Sequence, residues 1–339
     1  MRKKLQRDLF DRDIFQPRLP FDTFEGKSDF PIRVLHEMFI KFKLYGANNA
    51  EATIKSHRYY FDLLLKFNSK ITLEDLTEKT IVNFLEFLNT RERKIGKQQV
   101  VRSYKLSSVA LVRSRLNIFF NWLIKRDYIK VNPFEKIPFP SVSYTDRRAY
   151  SPKEFEAICF AINTTVNWAN LLIKKRNIAI IMFLALTGVR KEELLGLQLS
   201  DIDLYRKLVS VRAETSKSKR TRMIPMNLSL VQYLEDYLNQ RRNHFTLYFW
   251  VSGTLDQPFT EHGAKHLMDL ITKVTKIKCH LHRFRHTFAT NYYKQTRDLV
   301  GLQKLMGHTN FNMTLRYLRS LPDEHIVEQI RKLAVDEFV

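Results

Sequence analysis

Glycine and proline are scarce in this chain of 339 residues, which has 9 Gly and 10 Pro. That scarcity excludes collagen-like repeats and low-complexity linkers as its substance. Cysteine is scarcer still. Cys159 and Cys279 are too few for a disulfide framework, and neither stands in a CxxC pair or a Cys/His cluster with metal-ligand spacing. A reducing compartment, the cytoplasm, is the expected location. Long apolar runs are missing too. The opening MRKKLQRDLFDRD has no apolar stretch suited to a signal peptide. No run of about 18 uncharged apolar residues is available to cross a membrane.

Negative charge is also short. Lys and Arg number 57 against 35 Asp and Glu, a net charge of +22. Up to Tyr150 there are 29 basic and 17 acidic side chains, or +12; beyond it there are 28 and 18, or +10. Both halves are basic, as expected of a protein that grips a polyanion from two sides. Some RNA-binding and membrane-surface proteins share such a balance, so charge alone does not name the ligand.

What is present is apolar residue enough for two domain cores, at 44% hydrophobic. Residues 1–30 mix charge, Pro and Phe without periodicity and read as an arm. From Pro31 to about residue 140 the periodicity is helical, with segments ending near Leu44, over 50–67, after Thr72 or Thr77 as cap, and near 106–126. The last puts Val109, Val112, Leu116, Phe119, Phe120 and Leu123 on one face, and Arg113, Asn117, Asn121 and Lys125 on the other. Between the third and fourth helices lies RERKIGKQQVVRSYK. Residues 91–130 hold 11 basic and 2 acidic side chains. Arg91, Arg93, Lys94 and Lys97 read either as a solvated loop or as a basic hairpin tracking phosphates.

Three prolines crowd VNPFEKIPFP, so a linker is expected near 141–150. Ser151 and Pro152 then open a helix as N-cap and first residue. The segment 151–320 mixes elements. Helices are expected at 152–163, 172–187, 191–198, 229–242, 262–275, 283–294, 299–306 and around Tyr317. LVSVRA and TRMIPM read as short strands, with a third between Asp201 and Tyr205. In the tail, 321–339, Leu321-Pro322-Asp323-Glu324 opens an amphipathic helix with Ile326, Val327, Ile330 and Leu333 on one side.

Arg190, Lys217, His282, Arg285, His308 and Tyr317 stand in TGVRKEELLGL, TSKSKRTRMIP, HLHRFRHTFAT and LMGHTNFNMTLRYL. Two guanidiniums, an ammonium, two imidazoles and a phenol can bind a phosphodiester, attack it and protonate its leaving group without a metal. His282 and Arg285 are three residues apart and share a helical face. Zinc at His280 and His282 lacks a third ligand at suitable spacing. Structural alternatives exist for each residue: an Arg190 salt bridge to Glu193 or Asp201, an interdomain bridge for Arg285, a solvated turn for Lys217, and a helix cap for His308.

These segments resemble the tyrosine recombinase, or lambda integrase-like, family, whose catalytic set runs Arg, Lys, His, Arg, His or Trp, then Tyr. The resemblance covers about 150–320. It implies a mainly α fold with a small β-sheet in the catalytic domain, a helical core-binding domain at 31–140, and a two-domain clamp on double-stranded DNA. It makes Tyr317 the nucleophile, forming a 3′-phosphotyrosine with no cofactor, metal or ATP. Lys217 becomes the acid for the 5′ oxygen, with Lys219 a near competitor. His282 helps take the tyrosine proton, His308 offers an N–H to a non-bridging oxygen, and Glu193 supports the first Arg. Lys219, Arg220 and Arg222 become candidate backbone contacts. Within the family the tail often docks on a neighbouring subunit, which implies a homotetramer on two sites; packing within its own subunit is the alternative. Lys191-Glu192 departs from the smaller residues common after the first Arg. The arm and the 91–105 loop exceed the shortest Xer-type enzymes, which favours a mobile-element integrase over an Xer-type chromosome resolvase. A type IB topoisomerase-like enzyme and a non-catalytic DNA-binding protein are the other readings.

Overall fold

The structure is a computed structural model that describes residues 31–90, 92–95, 98–101, 103–138, 149–216, 218–253 and 256–318, with the backbone alone for 92–95, 98–101 and 316–318. The expected arm at 1–30, most of the linker, and the tail at 321–339 lie outside the described residues. The chain divides into two compact units between Tyr144 and Thr145. No described helix is long and apolar enough to cross a membrane.

The first unit is built from α1 (Ile32–Lys41), α2 (Glu51–Phe67), α3 (Glu78–Thr90) and α4 (Leu106–Ile124). Thr77, not Thr72, caps α3, its hydroxyl accepting the Thr80 N–H at 3.2 Å. Thr72 instead closes the preceding turn with Asp75. The core-facing stripe of α4 is as expected from its periodicity, with Val109, Val112, Leu116, Phe119, Phe120 and Leu123 all buried. Aromatic rings dominate the centre. Phe39, Phe61 and Phe119 meet around His36, which stacks on Phe61 at 3.8 Å. Burial, then the charge of Arg58 and His57, lowers the His36 pKa to about 3, so it is held neutral. Between α3 and α4 the basic segment forms an antiparallel hairpin, β1 (Glu92–Ile95) and β2 (Gln98–Val101), with Arg93 opposite Val100.

The second unit opens with α5 (Pro152–Phe160), where Ser151 and Glu154 form a reciprocal capping box. Helix α6 (Leu171–Thr187) is apolar on every side from Ile178 to Ala185 and runs through the core. It ends at Gly188, whose φ of +62° is the left-handed conformation glycine adopts freely. A Cβ there would also lie 2.4 Å from Phe288 Cδ1. The short α7 (Lys191–Leu195) stops at Gly196, earlier than the 191–198 periodicity suggests, because the chain tightens into a 3₁₀ turn at Leu199–Asp201.

A three-stranded antiparallel sheet follows in the order β3 (Ile202–Asp203), β4 (Leu208–Val211), β5 (Arg222–Pro225). Val209 pairs with Ile224 and both face the core. The chain then adds α8 (Leu228–Gln240), α9 (Glu261–Thr275), α10 (Leu281–Thr296), α11 (Leu299–Met306) and α12 (Phe311–Leu318). Helix α10 packs across α6 and α11, and so carries its side chains toward both helix ends.

Candidate active site

The site is organised by the carboxyl end of α11. That helix closes at Gly307 with φ +61°, and its last carbonyls point out of the helix without intrahelical partners. Three arginines from three different elements reach them. Arg222 of β5 donates Nε–H to the Leu305 oxygen at 2.7 Å. Arg285 of α10 donates Nη2–H to the Met306 oxygen at 2.7 Å. Arg190, at the start of α7, donates Nη2–H to the Gly307 oxygen at 3.3 Å. The negative end of a helix dipole is a favourable place for such charge. Arg285 also donates Nη1–H to the carbonyl of Gly188, the end of α6, and is only 1% exposed.

Glu193 sets the electrostatics. Its carboxylate is buried and takes both Nη groups of Arg222, at 2.9 and 2.7 Å. It also accepts from the Arg190 backbone N–H at 2.8 Å and from Arg190 Nη1 at 3.0 Å. Burial alone would raise its pKa; the hydrogen bonds and charge of Arg222, with Arg190 adding to them, hold it down at about 2. Three guanidiniums against one carboxylate leave a net of two positive charges around the Gly307-His308 turn, which suits an anion such as a phosphodiester.

His308 is buried within this group. Its Nε2 lies 3.0 Å from Arg285 Nη2, and its Nδ1 lies 2.8 Å from the hydroxyl of Thr314 on α12. Burial, then the charges of Arg285, Arg190 and Arg222, lowers its pKa to about 3. The ring is therefore neutral at physiological pH. A guanidinium can only donate, so Nε2 carries a lone pair and the single proton sits on Nδ1. An Nε2–H aimed at a phosphate oxygen would need the other tautomer, because in this structure that edge of the ring accepts from Arg285.

The structure thus brings Arg190, Arg285 and His308 together. His282 lies in the first turn of α10, exposed, with its ring edge-on to the buried His286 at 4.9 Å between centroids. Tyr317 lies on α12, and its side chain is outside the described residues. Lys217 is outside them as well. Its neighbours Ser218 and Arg220 line a cleft of about 350 Å³ together with Arg222, Gln303, Gly307 and His308, so the β4–β5 turn borders the cluster.

The candidate DNA contacts divide. Lys125, Lys219 and Arg220 are exposed. Arg91 and Lys97 lie outside the described residues, and Arg93 and Lys94 are on β1. Arg222 points inward here: its Nε and both Nη groups serve Leu305 and Glu193, and its side chain is 9% exposed. Arg113 is half-buried. It donates to the Phe134 carbonyl at 3.1 Å and lies over that ring, tying the chain after α4 back onto the helix. Sequence reasoning missed Thr314, fully buried and joined to His308. Its only sequence signal is its place three residues before Tyr317 on the same helix.

Residues 151–324 match the family model described as Phage integrase family, and residues 38–139 match Phage integrase SAM-like domain. Tyrosine recombinase XerC of Staphylococcus epidermidis is 31% identical over 298 residues, spanning 84% of this chain and 91% of its own. XerC of Staphylococcus aureus strain JH9 is 29% identical over 295 residues, with the same coverage of 84% and 91%. Among solved structures, the Tn1549 transposon integrase in complex with transposon right end DNA aligns with a TM-score of 0.71 at 17% identity, over 90% of this chain and 100% of that one. A lambda integrase dimer bound to a COC' core site aligns with a TM-score of 0.66 at 18% identity, over 93% and 85%. The two structural likenesses are likenesses of fold.

Proposed function

The chain belongs to the phage integrase family of tyrosine recombinases, enzymes that cut and rejoin DNA at specific sites, and we propose that it does so to integrate and excise a mobile element. Arg190 and Arg285 hold the non-bridging oxygens of the scissile phosphodiester. The Tyr317 oxygen attacks phosphorus, its proton passing toward His282. The bond to the 5′ oxygen breaks, and Lys217 protonates that oxygen as it leaves. A 3′-phosphotyrosine and a free 5′ hydroxyl result. The phosphoester bond is conserved in the tyrosyl linkage, so attack by another 5′ hydroxyl reverses the step without ATP.

The observation that carries this reading is the convergence of Arg190, Arg285 and His308 on one turn, six residues before the helix of Tyr317 reaches Thr314. Two duplexes exchanged through a Holliday junction require four active sites, and the tail 321–339 is the element proposed to join the subunits. The basic hairpin at 92–101 supports a mobile-element role. The likeness to XerC favours a second reading, resolution of chromosome dimers. Tyr317→Phe tests the chemistry. It should bind DNA as the wild type does and give no SDS-resistant protein–DNA adduct; an adduct in that variant would overturn the assignment. A plasmid carrying one site or two, relaxed or recombined, separates a recombinase from a topoisomerase-like enzyme.

A further inference from the structure

Thr314 makes a contact that the proposed chemistry does not use. It is fully buried on α12, three residues before Tyr317 and therefore on nearly the same face of that helix. Its hydroxyl is 2.8 Å from His308 Nδ1. Because Arg285 donates to Nε2 at 3.0 Å, the His308 proton is on Nδ1 and Thr314 is the acceptor. The ring is held at its backbone as well, where Gln303 Nε2 donates to the His308 carbonyl at 3.2 Å.

We propose that Thr314 is a positioning residue whose hydroxyl reverses its hydrogen bond with His308, from acceptor to donor, when a phosphodiester occupies the site. The proposal rests on the phosphodiester reading of the arginine cluster. An incoming non-bridging oxygen takes the Arg285 N–H that now faces Nε2. The Nε2 lone pair then faces an anion, which is repulsive, whereas an Nε2–H would be attractive. For Nε2 to carry a proton in a ring that stays neutral, Nδ1 must become an acceptor and needs a donor opposite it. A hydroxyl supplies both roles by rotating about its Cβ–Oγ bond. The exchange balances: Nδ1 releases one proton to water, Nε2 takes one from water, and the hydroxyl keeps its own hydrogen. The same bond ties the helix of the nucleophile to the arginine pair, so the reversal also registers Tyr317 against the bound phosphate.

The test uses the full chain in three forms, wild type, Thr314→Val and Thr314→Ser, with duplexes selected for binding from a randomised pool. Valine keeps the shape and removes the hydroxyl; serine keeps the hydroxyl. Thr314→Val should bind these duplexes within about twofold of wild type. It should form the covalent adduct about 10–100-fold more slowly in single turnover, somewhat less than loss of a direct oxyanion donor. Thr314→Ser should recover to within about threefold. In ¹⁵N-histidine spectra, assigned by difference with His308→Gln, free wild type should show His308 protonated at Nδ1. Tyr317→Phe saturated with duplex should show it protonated at Nε2. Wild-type cleavage by the valine variant, no recovery in a folded serine variant, an Nε2–H in the free protein, or an Nδ1–H retained on DNA would each overturn the proposal. A wild-type chain that forms no adduct on any selected duplex would instead sink the proposed function, and the spectrum of the free protein would still judge the Thr314 contact.

Discussion

Replacing Glu193 by Gln should cost more stability than any other single amide substitution near the site. The carboxylate has no exposed side-chain surface and serves four donors: the Arg190 N–H, Arg190 Nη1, and both Nη groups of Arg222. A Gln amide offers one oxygen, which can keep two of these. Its NH₂ then faces two groups that can only donate. Two half-buried guanidiniums are also left without their counter-charge. Removing one partner of a buried pair costs about 3–5 kcal/mol. For a unit of this size, each kcal/mol lowers the melting temperature by roughly 2–4 °C, so Glu193→Gln should melt roughly 6–20 °C below wild type at pH 7. The acid dependence gives a second check. The Glu193 pKa is depressed from 4.5 to about 2, so its stabilisation is present above pH 4.5 and lost as pH falls through 2. The gap between wild type and Glu193→Gln should therefore narrow by about 2 kcal/mol between pH 4.5 and 3. Thermal melts followed by circular dichroism across that range decide it. A melting difference under about 2 °C at pH 7, or a gap that does not narrow in acid, would refute the ion-network argument.

Changing Arg91, Arg93, Lys94 and Lys97 to Ala should weaken binding to all DNA sequences alike. It should reduce the slope of log affinity against log salt by up to about 4, and an unchanged slope in a fluorescence titration would return the hairpin to a solvated role. The buried His36 should make the first unit acid-sensitive. With its pKa lowered from 6.5 to about 3, stability is full above pH 6.5 and falls by roughly 2 kcal/mol by pH 5, and His36→Phe should flatten that part of the denaturation curve. A chain ending at Ser320 should bind single sites yet fail to form four-subunit complexes on paired-site DNA, and normal tetramers by light scattering would exclude docking of the tail between subunits.

Most of the architecture was legible because its signals are local. The stripe of α4, the Ser151-Pro152 start of α5 and the alternation of Val209 and Val211 each follow from residue spacing alone. Errors arose where tertiary contacts overrode spacing. The periodicity of 191–198 continues past Leu195, yet Gly196 ends the helix there. Thr215 Cγ2 lies 2.5 Å from where a Cβ on Gly196 would stand, and the Gly196 carbonyl accepts from Arg212. Arg113 sits on the polar face of α4, and nothing in its spacing says that the chain after the helix folds back to offer it the Phe134 carbonyl.

The sequence offered a candidate set of residues, of which the structure gathers Arg190, Arg285 and His308 on one turn, and it offered no arrangement for them. Arg190 and Arg222 look alike in sequence: each follows a turn, and each is an arginine beside conspicuous polar residues. What separates them is how many of their donors the protein consumes. Arg222 gives Nε and both Nη groups to Leu305 and Glu193. Arg190 spends Nη1 on Glu193 and reaches Gly307 with Nη2 only at 3.3 Å, and its side chain is 16% exposed against 9% for Arg222. A guanidinium with weaker internal bonds can transfer them to a phosphate at less cost. One whose bonds are short and bidentate to a buried carboxylate cannot. Glu193 thus holds the two arginines differently, Arg222 by a bidentate pair and Arg190 by one side-chain and one backbone hydrogen bond. A single sequence does not reveal that division, because it depends on distances across 29 residues to one partner and 117 to the other.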